Sequence, residues 1–285
     1  MVIGMGIKSV KKFTGQLIKY EHNAKSLNLR IGDNQIVSPN SPVVLDDKIY
    51  FVQENPNTSY SGVYRNSALK DTDGTFGYDL SVVARCSATV AYQGVIYVIG
   101  GLEYGSQGKR ILRRVIISGS PSVTIPSLPQ DYTYPRAVVS DNKIHLFGGD
   151  TNNKSHYTWD GVSNSWTLLA TELPIGLTQS PSYGFVRVDG NGNIHIFYGK
   201  THYEFVNGSW VQKTDLPFYS VRSIIIKGTD IHVFDDDFKH CVFNGTTTTE
   251  YDMPIKCSYS NSVLLNNKLV IVSGTDAGNL VYYLE

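Results

Sequence analysis

Apolar and polar residues alternate along most of the chain in short runs, and the runs recur in groups of four. The strongest run of each group opens on an aliphatic residue, at Ile49, Ile96, Ile144, Ile194, Ile231 and Leu269, 37 to 50 residues apart. A second marker stays in step between these anchors: Asp79-Leu80-Ser81, Ser127-Leu128-Pro129, Glu172-Leu173-Pro174, Asp215-Leu216-Pro217 and Asp252-Met253-Pro254. Two markers in step mean an internal repeat, and a fixed period decides the fold. The runs are too short for helices and alternate with period two, which predicts strands. Each unit reads as four. An apolar strand leads into a tight polar turn (Asp46-Asp47-Lys48, Asp141-Asn142-Lys143, Asn266-Asn267-Lys268), where Asn and Asp tolerate positive φ. The anchor strand follows. A third strand ends at Asp160-Gly161, Asn207-Gly208 or Asn244-Gly245, and a fourth carries Trp166 or Trp210.

The segments Ile96-Tyr97-Val98-Ile99-Gly100-Gly101 and Ile144-His145-Leu146-Phe147-Gly148-Gly149, with Trp166 and Leu173-Pro174 downstream, resemble kelch repeats, and the resemblance covers residues 41–285. Other units depart from the pattern. Val52-Gln53, Tyr198-Gly199, Asp235-Asp236 and Ser273-Gly274 replace the glycine pair, and Thr247 stands where Trp210 stands one unit earlier. The arginine usual at the head of a kelch first strand falls on Ala84, Tyr132, Tyr219 and Cys257. The resemblance implies an all-β fold, a β-propeller of six four-stranded blades, with seven as the alternative count. Closing such a ring hides strand edges. The last unit supplies three strands, so a strand at 27–32 is expected to complete it. Residues 1–25 are then a hairpin or attachment arm, and 26–285 the propeller.

Composition narrows the partners. Twenty-five basic and 25 acidic residues give zero net charge and a pI near 7.0, which disfavours nucleic acid or an anionic membrane as partner. Only 18% of residues are charged and 19 are Tyr, so the surface is expected to be rich in Tyr, Asn, Ser and Gly, suited to glycans or proteins. The N-terminus lacks the apolar core of a secretion signal, and no run is long enough to span a membrane. The expectation is synthesis in the cytoplasm. Cys86, Cys241 and Cys257 show neither metal nor redox spacing.

Histidine forms the sharpest local pattern. His145, His195 and His232 follow the anchor in three consecutive units, where Tyr50 and Tyr97 stand in the first two, and His156, His202 and His240 recur in the next strand. If Gly199-Lys200 makes a two-residue turn, Phe197 opposes His202 and His195 opposes Glu204. Equivalent positions on different blades are rotated apart and cannot converge on one ion. The histidines are therefore read as packing residues, and no metal, cofactor or catalytic group is expected. Asp189-Gly190-Asn191-Gly192-Asn193 resembles the start of a calcium loop, but Ile194 and Lys200 stand where Gly and Glu belong, so it is read as a turn. Arg85, Arg136 and Arg222, with Tyr132 and Tyr219, sit near the heads of first strands. They are the candidate binding rim, cationic and aromatic, suited to an acidic sugar or carboxylate.

The expected function is non-catalytic binding or assembly. Propellers of this kind resemble those of phage receptor-binding proteins. The first expectation is therefore a virion- or tail-associated module contacting surface glycan or structural proteins, alone or in a homo-oligomer or larger assembly. An intracellular kelch interaction scaffold and a sugar-acid epimerase, lyase or oxidase are the alternatives.

Overall fold

A computed structural model describes residues 9–10, 17–20, 42–54, 67–70, 76–80, 87–101, 112–115, 126–149, 151–177, 184–216, 221–235, 239–252, 261–273 and 280–284. Among them there is no helix, and the strands form six sheets.

Two strands come from the N-terminal segment, β1 (Ser9–Val10) and β2 (Leu17–Tyr20). The first sheet then runs β3 (Val43–Leu45), β4 (Lys48–Glu54), β5 (Ser67–Lys70) and β6 (Phe76–Leu80). The second is β7 (Ala88–Tyr92), β8 (Val95–Ile99) and β9 (Leu112–Val115). The third is β10 (Arg136–Ser140), β11 (Lys143–Phe147), β12 (His156–Trp159) and β13 (Thr167–Leu168). The fourth is β14 (Gly184–Val188), β15 (Ile194–Tyr198), β16 (Thr201–Val206) and β17 (Ser209–Gln212). The fifth contains β18 (Ser223–Lys227), β19 (Asp230–Phe234), β20 (Lys239–Phe243) and β21 (Thr248–Asp252). The sixth contains β22 (Asn261–Leu265), β23 (Lys268–Ser273) and β24 (Leu280–Leu284). From β3 to β24 each sheet pairs its strands in chain order, antiparallel throughout.

The predicted turns join first strands to second strands. Asp46-Asp47, Asp141-Asn142 and Asn266-Asn267 all have positive φ, as does Gln93-Gly94 in the second sheet. Two consecutive positive-φ residues match the right-handed twist of a hairpin. The fourth sheet has the expected register, with Phe197 opposite His202 and His195 opposite Glu204.

The N-terminal strands lie on the outer edges of the last two sheets. Leu17–Tyr20 pairs antiparallel with β24 and gives the sixth sheet its fourth strand; Ser9–Val10 pairs parallel with β21. The edge position is thus filled from within the segment read as an arm. The expected closing strand, 27–32, lies outside the described residues.

First strands neighbour first strands. β3 contacts β7, β7 contacts β10, and the series continues through β14, β18 and β22 back to β3. The core lies between the faces of successive sheets. Tyr97, Ile99, Trp159 and Trp166 pack between the second and third, Phe147, Val186 and Ile196 between the third and fourth, and Phe197, Ile224 and Val233 between the fourth and fifth. The second repeat marker belongs to this core: Leu128, Leu173 and Leu216 are each 1–2% exposed. Leu173 and Leu216 also close equivalent loops, donating their amides to the carbonyls of Lys154 and Lys200.

The glycine pair has a steric reason. Gly100, Gly101, Gly148 and Gly149 all have positive φ. A Cβ on Gly100 would lie 2.8 Å from the Tyr132 carbonyl oxygen, and one on Gly149 would lie 2.4 Å from Gln130 Nε2. The chain entering the third sheet is threaded against these backbones, where a side chain does not fit.

Candidate functional site

Residues from all six first strands surround a cavity of about 510 Å³. Its wall is aliphatic, as with Val90, Val139, Ile225 and Leu264, and is interrupted by Thr89, Ser262 and one charge, Arg187. The apolar runs of the first strands supply this wall.

Arg187 is the functional candidate that the sequence analysis missed. Its Nε donates to the Ile224 carbonyl on β18 at 2.6 Å and its Nη1 to the Val186 carbonyl at 2.8 Å. The guanidinium lies 5.6 Å from the centre of the Phe185 ring. Among the described residues no carboxylate pairs with it. Burial, with a smaller contribution from Arg136, lowers its pKa to about 10, so it stays charged at neutral pH. Arg136 makes the same kind of bridge one sheet earlier, from β10 to the Gly184 carbonyl on β14 at 2.8 Å, and also bonds the carbonyls of Tyr134 and Pro135. Two arginines therefore staple consecutive first strands and feel each other's charge. The only sequence signal for Arg187 is a cation inside an apolar run, Phe185-Val186-Arg187-Val188.

The rim residues are placed differently from one another. Arg136 stands at the head of β10. Arg222 immediately precedes β18, its amide donating to the Phe234 carbonyl at 2.8 Å. Tyr132 is 0% exposed and belongs to the core between the second and third sheets, and its carbonyl accepts from the Gly101 amide at 2.7 Å. Arg85 and Tyr219 lie outside the described residues.

The six repeated histidines form three pairs of one geometry. His145 Nδ1 lies 2.9 Å from His156 Nε2, His195 Nδ1 2.9 Å from His202 Nε2, and His232 Nδ1 2.9 Å from His240 Nε2. Each pair is diagonal across two strands, because Phe147, Phe197 and Phe234 occupy the directly opposed positions. Each of these Phe rings lies against the second histidine, with centroids 4.4, 4.5 and 4.6 Å apart. All six imidazoles are buried. Burial lowers the pKa of His145 and His232 to about 4 and that of His156, His202 and His240 to about 3. The pairs are neutral N–H···N bonds at physiological pH. The recurrence of His was visible in the sequence; the diagonal meeting required the register.

No family model matches the chain, and no curated protein matches it.

Proposed function

We propose that the chain is a six-bladed, kelch-like β-propeller acting as a non-catalytic binding or assembly module. Its place is in a bacterial virion or tail, where it contacts surface glycan or neighbouring structural proteins. The observation that carries this reading is the cyclic order of first-strand contacts around an aliphatic cavity. Such a wall supplies packing and one cation, not the paired acid and base of a hydrolytic or proton-transfer site. Recognition then falls to the loops at the ends of the ring and to the arginines near the strand heads. Arg85 and Arg222 are the residues we assign to an acidic sugar or carboxylate through forked contacts, with Arg136, whose Nε and Nη1 bond backbone carbonyls, adding its charge.

The test is a tagged pull-down of the full chain from virus-producing bacterial cells, read by mass spectrometry and glycan staining. Calorimetry with an acidic host polysaccharide runs in parallel. Recovery of virion proteins or surface polysaccharide is expected. The double change R85A/R222A is expected to weaken polysaccharide binding about tenfold or more. Capture of a single soluble regulatory protein, or turnover of a sugar acid by the pure chain, would overturn the reading.

A further inference from the structure

The fourth sheet differs from its neighbours at one point. Opposite the first histidine of each pair stand Thr158 in the third sheet, Glu204 in the fourth and Val242 in the fifth. Only His195 has a carboxylate across the ladder. Asp189, in the turn between β14 and β15, brings a second. One donor atom from each of Asp189, His195 and Glu204 lies within 4.8 Å of the others.

Hydrogen bonds orient this set. His195 Nδ1 meets His202 Nε2 at 2.9 Å, so the other ring nitrogen of His195, Nε2, is the one turned to the carboxylates. That atom is buried with no hydrogen-bond partner, in a residue 8% exposed. It points at carboxylates, with Asp189 Oδ2 3.5 Å away. Two carboxylates beside one buried imidazole nitrogen favour a positive charge at this point.

We propose that Asp189, His195 and Glu204 hold a divalent transition-metal cation of the Zn²⁺ type, with the remaining coordination position open to water or to a ligand. The donor chemistry fits, since neutral imidazole with carboxylates suits such ions. One donor pair already has the spacing: neighbouring donors in a tetrahedral site with arms near 2.0–2.1 Å are about 3.4 Å apart, and His195 Nε2 and Asp189 Oδ2 are 3.5 Å apart. The outer support is in place. His202 holds the His195 ring from its other nitrogen, at 2.9 Å. Asp189 Oδ1 accepts from the amides of Asn191 and Asn193 at 2.9 and 2.8 Å, and Oδ2, which also accepts from Asn193 Nδ2 at 3.3 Å, is turned toward His195. Glu204 Oε2 accepts from Lys213 Nζ at 2.8 Å. Two carboxylates against one ammonium leave a net negative site. The expectation of no metal considered convergence between sheets; this set converges within one.

The experiment uses the full chain, stripped with a chelator and titrated with Zn²⁺ by calorimetry. Co²⁺ absorption reports the geometry. One saturable site with a tetrahedral Co²⁺ spectrum is expected. D189N and E204Q should each weaken binding by about tenfold or more. Because D189N also touches the turn, K213A supplies an independent arm: it frees Glu204 without altering a ligand and is expected to tighten binding several-fold. Circular dichroism checks that each variant is folded. Absence of saturable binding, or binding that E204Q and K213A leave unchanged, would overturn the proposal.

Discussion

Six buried imidazoles in three equivalent pairs make the fold sensitive to acid. In the folded chain the pairs at His145–His156 and His232–His240 hold pKa values of about 3 to 4, while an unfolded histidine titrates near 6.5. Between those limits the unfolded chain binds more protons, so stability is full above about pH 6.5 and falls as the pH drops toward 4. Each imidazole of these two pairs contributes roughly 2 kcal/mol to that loss by pH 5, before most carboxylates titrate. Asp230 and Lys227 act on His232 in opposite directions, and His240 lies against Phe234 and Tyr251. Urea midpoints at pH 7 and pH 5 test this: the midpoint is expected to fall at pH 5. The double change H232F/H240F should flatten the profile, since replacing both partners of a buried hydrogen bond costs little. An unaltered slope in that variant would show that the pair does not set the pH response. At this scale the sequence located every histidine but not the meeting of His145 with His156. Alternation assigns a residue to a face, whereas the diagonal partner depends on register and rotamer. Tyr132 shows the same limit, because an aromatic near a strand head reads equally as rim or core.

The element that repeats is the anchor strand with the backbone that follows it, and the third sheet shows what holds it. Gln130 donates to Ser155 Oγ at 2.8 Å and the Gly148 carbonyl at 3.2 Å, and accepts from the Asn152 and Thr151 amides at 2.9 and 3.2 Å. It laces the loop after β11 to the chain entering from the second sheet. Removing it by Gln130→Ala leaves buried polar groups unsatisfied and is expected to cost about 1–3 kcal/mol. Gly149→Ala is expected to cost a similar amount, because the new Cβ displaces Gln130 and the backbone φ of 124° is strained for alanine. The two share a partner, so the double variant should lose less than the sum of the singles. Denaturant curves for the cycle decide it, and strict additivity would break the link. The glycine pair was legible in the sequence, but its reason was not: Gln130 lies 19 residues upstream of Gly149 in the chain and reaches it only through the fold.

At the scale of the molecule, the N-terminal strands tie the two ends of the chain together. Leu17–Tyr20 covers β24 and Ser9–Val10 covers β21. Deleting residues 1–20 exposes both edges, and unpaired edges recruit other chains. The truncated chain is expected to melt at least about 3 °C lower and to elute in part as oligomers on size exclusion. A monomer with an unchanged midpoint would show that these strands contribute nothing. The sequence by itself determined the all-β class, the strand order within sheets, the hairpin turns and the Leu marker of the core, because each follows from local period and turn chemistry. Tertiary structure alone decided which N-terminal strand fills the last sheet, that Arg187 stands in the wall of the central cavity, and that Asp189 joins His195 and Glu204. The physical reason is distance along the chain. Local pattern says which way a side chain faces; contacts between sheets bring together residues whose separation leaves no mark in the sequence.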